Sequence, residues 1–160
     1  VSRYHVATTA VAAAPIDVVW ARLADITTWS QWGDWDETTR VREGDPAPDG
    51  VGALRQFRRG RRTHVEEVVA FEPSRRLAYE VRSGFPVRNY HAEVTLEPVG
   101  GGTRIRWVSD FDGTNPVTGW LVEKALRRFF PKTARGLARA AEADARPDAR
   151  PDARPDAASS

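Results

Sequence analysis

Cysteine is missing from this chain, and its absence excludes a disulfide framework, a thiolate metal site and a thiol nucleophile together. Methionine is missing too, even at position 1, where Val1 fits an alternative start codon read as valine. Long apolar runs are also lacking. The longest weakly polar stretch, Val6 to Val19, is interrupted by Thr8, Thr9, Pro15 and Asp17, and falls short of the roughly 20 apolar residues of a membrane span. Arg3 precedes an alanine-rich run as in a signal peptide. That run alternates like a strand and flows into an amphipathic helix, however, so a cytoplasmic location is expected. Neither sign of charge is in excess: 24 Lys and Arg against 22 Asp and Glu leave a net charge of only +2, which demands no nucleic-acid partner. The three histidines, His5, His64 and His91, are too scattered for a metal site. There is no Gly-x-Ser-x-Gly, no Walker sequence and no dinucleotide-binding glycine pattern, and Gly100 to Gly102 reads as a hairpin turn. No metal and no cofactor are expected.

What is present suits one globular domain with a real core. The tetrapeptide Ala145-Arg146-Pro147-Asp148 repeats as Ala149 to Asp152 and Ala153 to Asp156. Proline at every fourth position and no apolar face predict a disordered, charge-balanced tail over 144–160, leaving 1–143 as the domain.

The domain opens with a strand expected from Tyr4 to Ala12. Pro15 then sits where a helix tolerates proline best, with Asp17 in the first turn. Ile16, Val19, Trp20, Leu23 and Ala24 form one apolar helical face. A second short helix is expected to carry Trp29 and Trp32, followed by a loop through Gly33, Asp34 and Trp35. Turn residues then divide the middle of the chain into strands near 38–43, 53–58, 63–71, 76–83, 87–98 and 103–111. Connections of hairpin length make the sheet antiparallel. Asn115 is a candidate cap and Pro116 a first helical residue. Val117 to Ala143 is then helical in pattern, with Val122, Leu126, Phe129 or Phe130, Thr133, Leu137 and Ala141 near one stripe. Pro131 predicts a kink or a break. One long helix can cover an antiparallel sheet of seven strands only by lying across a concave face, with the residues between them lining a cavity.

Ala14-Pro15-Ile16-Asp17-Val18-Val19-Trp20 with Leu23 and Asp25, then Trp29 and Trp32, then Val68 with Glu72 to Tyr79, then Gly102-Thr103 leading to Trp107, resemble the START-like or SRPBCC superfamily. The resemblance is to its polyketide cyclase/dehydrase-like branch, and it spans nearly everything up to Glu142. It implies an α+β helix-grip fold, but no single activity, because this superfamily spans lipid carriers, hormone receptors, cyclases, hydrolases and chaperone activators.

Alternation places Tyr90, Ala92, Val94 and Leu96 inward, with Leu77, Tyr79 and Val81, and with Ile105, Trp107, Ser109 and Phe111. The strand from Thr63 to Phe71 is ambiguous. Periodicity prefers Val65, Glu67, Val69 and Phe71 as core, whereas the superfamily's hormone receptors imply the other face, with His64 and Glu66 inward beside Tyr90. A one-residue slip decides between them. An unpaired Glu66 in a cavity would have a raised pKa and suit acid/base work; an exposed Glu66 would pair with a neighbouring Arg. Residues expected to contact a ligand are Trp29, Trp32, Tyr79, Tyr90, Trp107, Phe111, Leu126 and Phe130, and Trp29 and Trp32 could equally be packing residues.

The expected function is the holding of a small, largely apolar molecule, lipid- or polyketide-like, between sheet and helix. The alternative is an aromatic polyketide cyclase or dehydratase with His64, Glu66 and Tyr90 as candidate catalytic groups. A further alternative uses the basic last helix, with Lys124, Arg127, Arg128, Lys132, Arg135 and Arg139, to meet a regulatory partner or an anionic membrane. Arg58, Arg59, Arg61 and Arg62 around Gly60 read as turn solvation or a phosphate contact.

Overall fold

The computed structural model describes residues 3–146, so nearly all of the expected tail lies outside the described residues. The chain runs β1 (Arg3–Ala12), α1 (Ile16–Ala24), a 3-10 turn (Ile26–Thr28), α2 (Trp29–Trp32), β2 (Glu37–Arg42), β3 (Leu54–Arg59), β4 (Arg62–Glu72), β5 (Arg76–Ser83), β6 (Val87–Val99), β7 (Gly102–Gly113) and α3 (Pro116–Asp144). All seven strands form one antiparallel, curved sheet in the order β1-β7-β6-β5-β4-β3-β2. Each hairpin sets its own register. Gly60, at φ 60°, begins the two-residue turn that puts Arg59 opposite Arg62, and every pair further down β3 and β4 follows from that turn. The helix-grip architecture expected from strand count and turn placement is the one observed.

The β4–β5 pairing carries two register shifts, between Val65 and Glu66 and between Val68 and Ala70. The first leaves Arg82 of β5 as the extra residue and keeps β4 in phase, so His64, Glu66 and Val68 share the inner face, whereas the second inserts Val69 into β4 and reverses which of its side chains face the helix. Glu66 and Val68 are buried in the middle of the strand. Beyond the second shift Phe71 turns inward and meets the edge of the Trp20 ring at 5.1 Å. Neither alternating set is the core throughout.

α3 crosses the concave side of the sheet and packs against β1, β6, β7, α1 and α2. Asn115 caps it, its side-chain oxygen accepting from the Thr118 N–H at 2.9 Å, with Pro116 at the first helical position. The helix runs unbroken through Pro131, so the break that proline allows does not occur. Proline's missing N–H and ring clash cost about 3 kcal/mol. Leu126 and Phe130 before it, and Thr133, Ala134, Leu137 and Ala138 after it, are all buried. Burial at roughly 1.5–3 kcal/mol for each large apolar side chain exceeds that cost, so tertiary packing prevails over the local defect.

Two glycines set how closely α3 approaches. A Cβ at Gly119 would enter the Tyr4 ring, and one at Gly136 would enter the backbone carbonyl of Trp32. At its far end the helix reaches Asp144, one residue past the expected domain end. The Asp144 carboxylate accepts from Arg22 of α1 at 2.6 and 2.8 Å, and this hydrogen-bonded cation holds its carboxyl below the usual range. Glu142 accepts from the Ala13 N–H at 3.0 Å, which ties the same turn to the end of β1.

Gly136→Ala separates propensity from packing. Alanine raises intrinsic helix stability by about 1 kcal/mol over glycine, whereas overpacking costs about 1–3 kcal/mol. Because the obstructing atom is backbone, we expect a net loss of about 1–2 kcal/mol, read as a lower urea midpoint at unchanged slope.

Candidate functional site

The site grows from the β3–β4 hairpin. With the turn at Gly60 and Arg61, Arg55 lies opposite Glu66 and Phe57 opposite His64, all on the concave face. Arg55 is 1% exposed and Glu66 5% exposed. The Arg55 Nη2 donates to Glu66 Oε2 at 2.9 Å, while Glu66 Oε1 faces His64 Nε2 at 3.1 Å. The guanidinium stacks over Trp29 at 4.5 Å and Tyr79 at 5.0 Å, and its Nε is buried without a hydrogen-bond partner in the chain. Aromatic faces therefore carry part of the stabilisation that water would give an exposed cation. Glu66 is buried and paired at once. It is neither the unpaired cavity carboxylate nor the exposed one.

His64 stacks flat on Phe57, at 4.8 Å and 3°, and meets the edge of Phe85 at 5.2 Å. A carboxylate can only accept, so Glu66 holds the proton of a neutral imidazole on Nε2 and leaves Nδ1 as the ring's acceptor.

These groups open onto a cavity of about 230 Å³ between sheet and α3. The sheet contributes His64, Glu66, Tyr79, Tyr90 and Trp107, the helix Ala125, Leu126, Phe129 and Phe130, and the loops Trp35 and Phe85. The exposed Arg59 and Arg62 stand at its mouth. Asp34 reaches Lys132 at 3.3 Å and Arg59 at 2.6 Å, so the loop carrying Trp35 is tied to both the helix and the hairpin. A larger groove of about 390 Å³ runs along β1 and α3, but its lining has no aromatic side chain. Apolar walls with a few convergent polar groups single out the smaller, aromatic-walled cavity.

Tyr79 and Tyr90 both stay protonated at ordinary pH. Burial raises each phenol well above the usual value, and the negative Glu66 adds to the effect. The Tyr79 oxygen accepts from Trp107 Nε1 at 3.0 Å.

Of the expected contact residues, Tyr79, Tyr90, Trp107, Leu126 and Phe130 line the cavity beside His64 and Glu66, whereas Trp29, Trp32 and Phe111 do not. Trp29 is 1% exposed, because the 3-10 turn drives it inward behind Arg55 and its Nε1 donates to the Leu23 carbonyl at 2.9 Å. Trp32 packs on Trp29 at 5.0 Å. Phe111 lies between Tyr4, at 5.3 Å, and Tyr90, at 5.9 Å, one layer behind the wall. Arg55 and Phe85 carry no expectation from the sequence, nor does Trp35 as a wall residue. Arg55 was reachable by counting outward from the Gly60 turn, since positions in register with that turn sum to a constant. The two loop aromatics obey no period that could have revealed them.

Removing one partner of a buried pair leaves an uncompensated charge. Glu66→Gln is expected to destabilise the fold by about 3–5 kcal/mol, and Arg55→Met with Glu66→Gln to recover most of that loss in chemical denaturation. The tyrosines supply a second test. Their folded pKa values are raised, so their contribution to stability is complete below the ordinary phenol value of 10.0 and declines as pH rises through and above it. Alkaline titration should show their phenolate absorbance growing in step with loss of circular dichroism, not before it.

The family model described as "Polyketide cyclase / dehydrase and lipid transport" matches residues 3–142. No curated protein matches the chain. Among solved structures, the Zhui aromatase/cyclase from Streptomyces sp. R1128 superposes with a TM-score of 0.78 at 18% identity, over 92% of this chain and 99% of that one. A Thermobifida fusca protein gives 0.71 at 26% identity, over 84% and 90%. A Thermus thermophilus protein, TTHA0849, gives 0.72 at 17% identity, over 89% and 100%.

Proposed function

This chain belongs to the polyketide cyclase / dehydrase and lipid transport family, and we propose that it binds a small, largely apolar molecule in the cavity between sheet and α3. The observation that carries this reading is a polar corner, His64, Glu66 and Tyr90, inside otherwise aromatic walls. A ligand with flat apolar faces and one hydroxyl or carbonyl group suits it. The rings offer stacking, and the corner offers a phenol donor and an imidazole acceptor. The mouth arginines favour a ligand whose outer end is anionic or strongly polar.

A second reading makes the same corner reactive, and the His64–Glu66 contact favours it. With Nε2–H held by Glu66, Nδ1 can take a proton from a carbon between two carbonyl groups. The enolate oxygen then accepts a hydrogen bond from Tyr90. The enolate carbon attacks a second carbonyl, forming a C–C bond, and the new alkoxide recovers the proton from Nδ1; Nδ1 then takes the remaining proton of the attacking carbon and returns it to the departing hydroxyl, so that water leaves and a C=C bond forms. The aromatase/cyclase among the structural neighbours supports this reading only through the shared fold.

Titration with a naphthol, followed by tryptophan fluorescence, tests the binding reading. Ala125→Trp, at an exposed position on the cavity rim, should abolish the response. Tyr90→Phe should weaken binding about fivefold to tenfold, the value of one hydrogen bond. Equal response in the Ala125→Trp protein would place the naphthol elsewhere and defeat the proposal. For the catalytic reading, His64→Gln should eliminate cyclised product from a linear poly-β-ketone while naphthol binding persists. Undiminished product would remove His64 from the chemistry.

A further inference from the structure

The outer flank of α3 is not an ordinary solvated face. Val117, Trp120 and Leu121 are 67%, 52% and 53% exposed. At spacings of three and four residues they form one stripe, which Lys124 and Arg128 continue. The Lys124 ammonium lies 5.0 Å over the Trp120 ring. From Pro116 to Arg135 the only acid is Glu123, against Lys124, Arg127, Arg128, Lys132 and Arg135, and Glu123 pairs with Arg127 at 2.8 Å. Among the described residues, Lys124 and Arg128 have no carboxylate partner, and neither do Arg61 and Arg62 of the β3–β4 hairpin.

The stripe adjoins the mouth of the cavity. Leu121 stands one helical turn before Ala125, and Arg128 is next to Phe129, both of which line it. The hairpin brings Arg62 to the same opening. A tryptophan and two aliphatic side chains projecting among lysine and arginine make up a surface suited to the headgroup zone of a bilayer, where apolar rings sit just below a plane of anionic charge. A second copy of this chain fits poorly, because apposing two such flanks would oppose like charges.

We propose that this face docks on an anionic lipid surface. Trp120, Leu121 and Val117 enter the headgroup region, and Lys124, Arg128, Arg61 and Arg62 meet lipid phosphates and carboxylates. The cavity mouth then opens at the membrane, where a poorly soluble molecule is most concentrated. The docking does not depend on what the cavity holds.

The test is co-sedimentation of the full chain with phosphatidylcholine vesicles, with or without about 30% phosphatidylserine, at about 0.1 M salt. Binding is expected only with the anionic lipid, and should fall more than about tenfold at about 0.5 M salt. Trp120→Ala with Leu121→Ala should weaken it about tenfold or more, and so should Lys124→Glu with Arg128→Glu. These side chains are exposed, so near-ultraviolet circular dichroism and the naphthol response should remain unchanged. Failure of docking and failure of the cavity reading are thereby read separately. Absence of binding to the anionic vesicles would overturn the proposal, as would binding indifferent to Trp120 and Leu121. A dimer dissolved by Trp120→Ala would assign the face to a second copy instead. Polyglutamate binding with the same dependence on Trp120 would assign it to an acidic protein.

Discussion

The arrangement of this site depends on one buried charge pair. Removing Arg55 and Glu66 from water costs several kcal/mol for each ion, and their mutual attraction offsets this only where every other contact of the pair is well made. Arg55 therefore needs flat aromatic neighbours, and Trp29 and Tyr79 supply them at 4.5 and 5.0 Å. Glu66 has a second oxygen to satisfy, and His64 meets it. The position of α2, the inward turn of Trp29 and the orientation of the imidazole all accord with keeping these two charges satisfied. Such a pair adds little net stability, and its contribution lies in excluding other arrangements of the same residues.

The second constraint is distance. Gly119 and Gly136 let α3 settle against Tyr4 and the Trp32 carbonyl, and the cavity is the space left where bulkier residues hold sheet and helix apart. Close contact at these two glycines, with the bulky side chains of Leu126 to Phe130 between them, leaves a cavity instead of a continuous core. Pro131 sits just past that chamber, and the helix tolerates it because both flanking segments are buried. The exposed stripe lies on the side of the helix turned away from the sheet, so the residues that pack the core and those available to a membrane share one element without competing.

Much of this was legible from residue order. Turn chemistry at Gly60, Pro73 and Gly100 to Gly102 divides the middle of the chain into hairpins, and hairpins allow only an antiparallel sheet. Asn115 and Pro116 mark the start of the long helix, whose length and apolar stripe leave it no place except across the concave face. Alternation put Tyr79, Tyr90 and Trp107 on the inner side because each is in phase with the inward residues of its strand, the bulge of β6 at Asn89 falling just before Tyr90. In β4 periodicity fails for a physical reason: the bulge at Val69 reverses the faces, so a pattern averaged over 63–71 mixes two registers. Trp29 and Phe111 were placed on the correct side of the sheet but at the wrong depth. Period reports direction, and depth depends on which neighbours are larger.

By itself, then, the amino-acid sequence determined the topology, the inward faces of the regular strands and the absence of cysteine chemistry, all of which rest on local rules of turn, cap and alternation. Tertiary structure alone decided that the Arg55 guanidinium is sealed against Trp29 and Tyr79, that Trp35 and Phe85 line a cavity while Trp29 does not, and that Trp120 and Leu121 stay in solvent. These are questions of which surfaces come together and how closely, and side-chain volume and charge settle them only once the whole chain has folded.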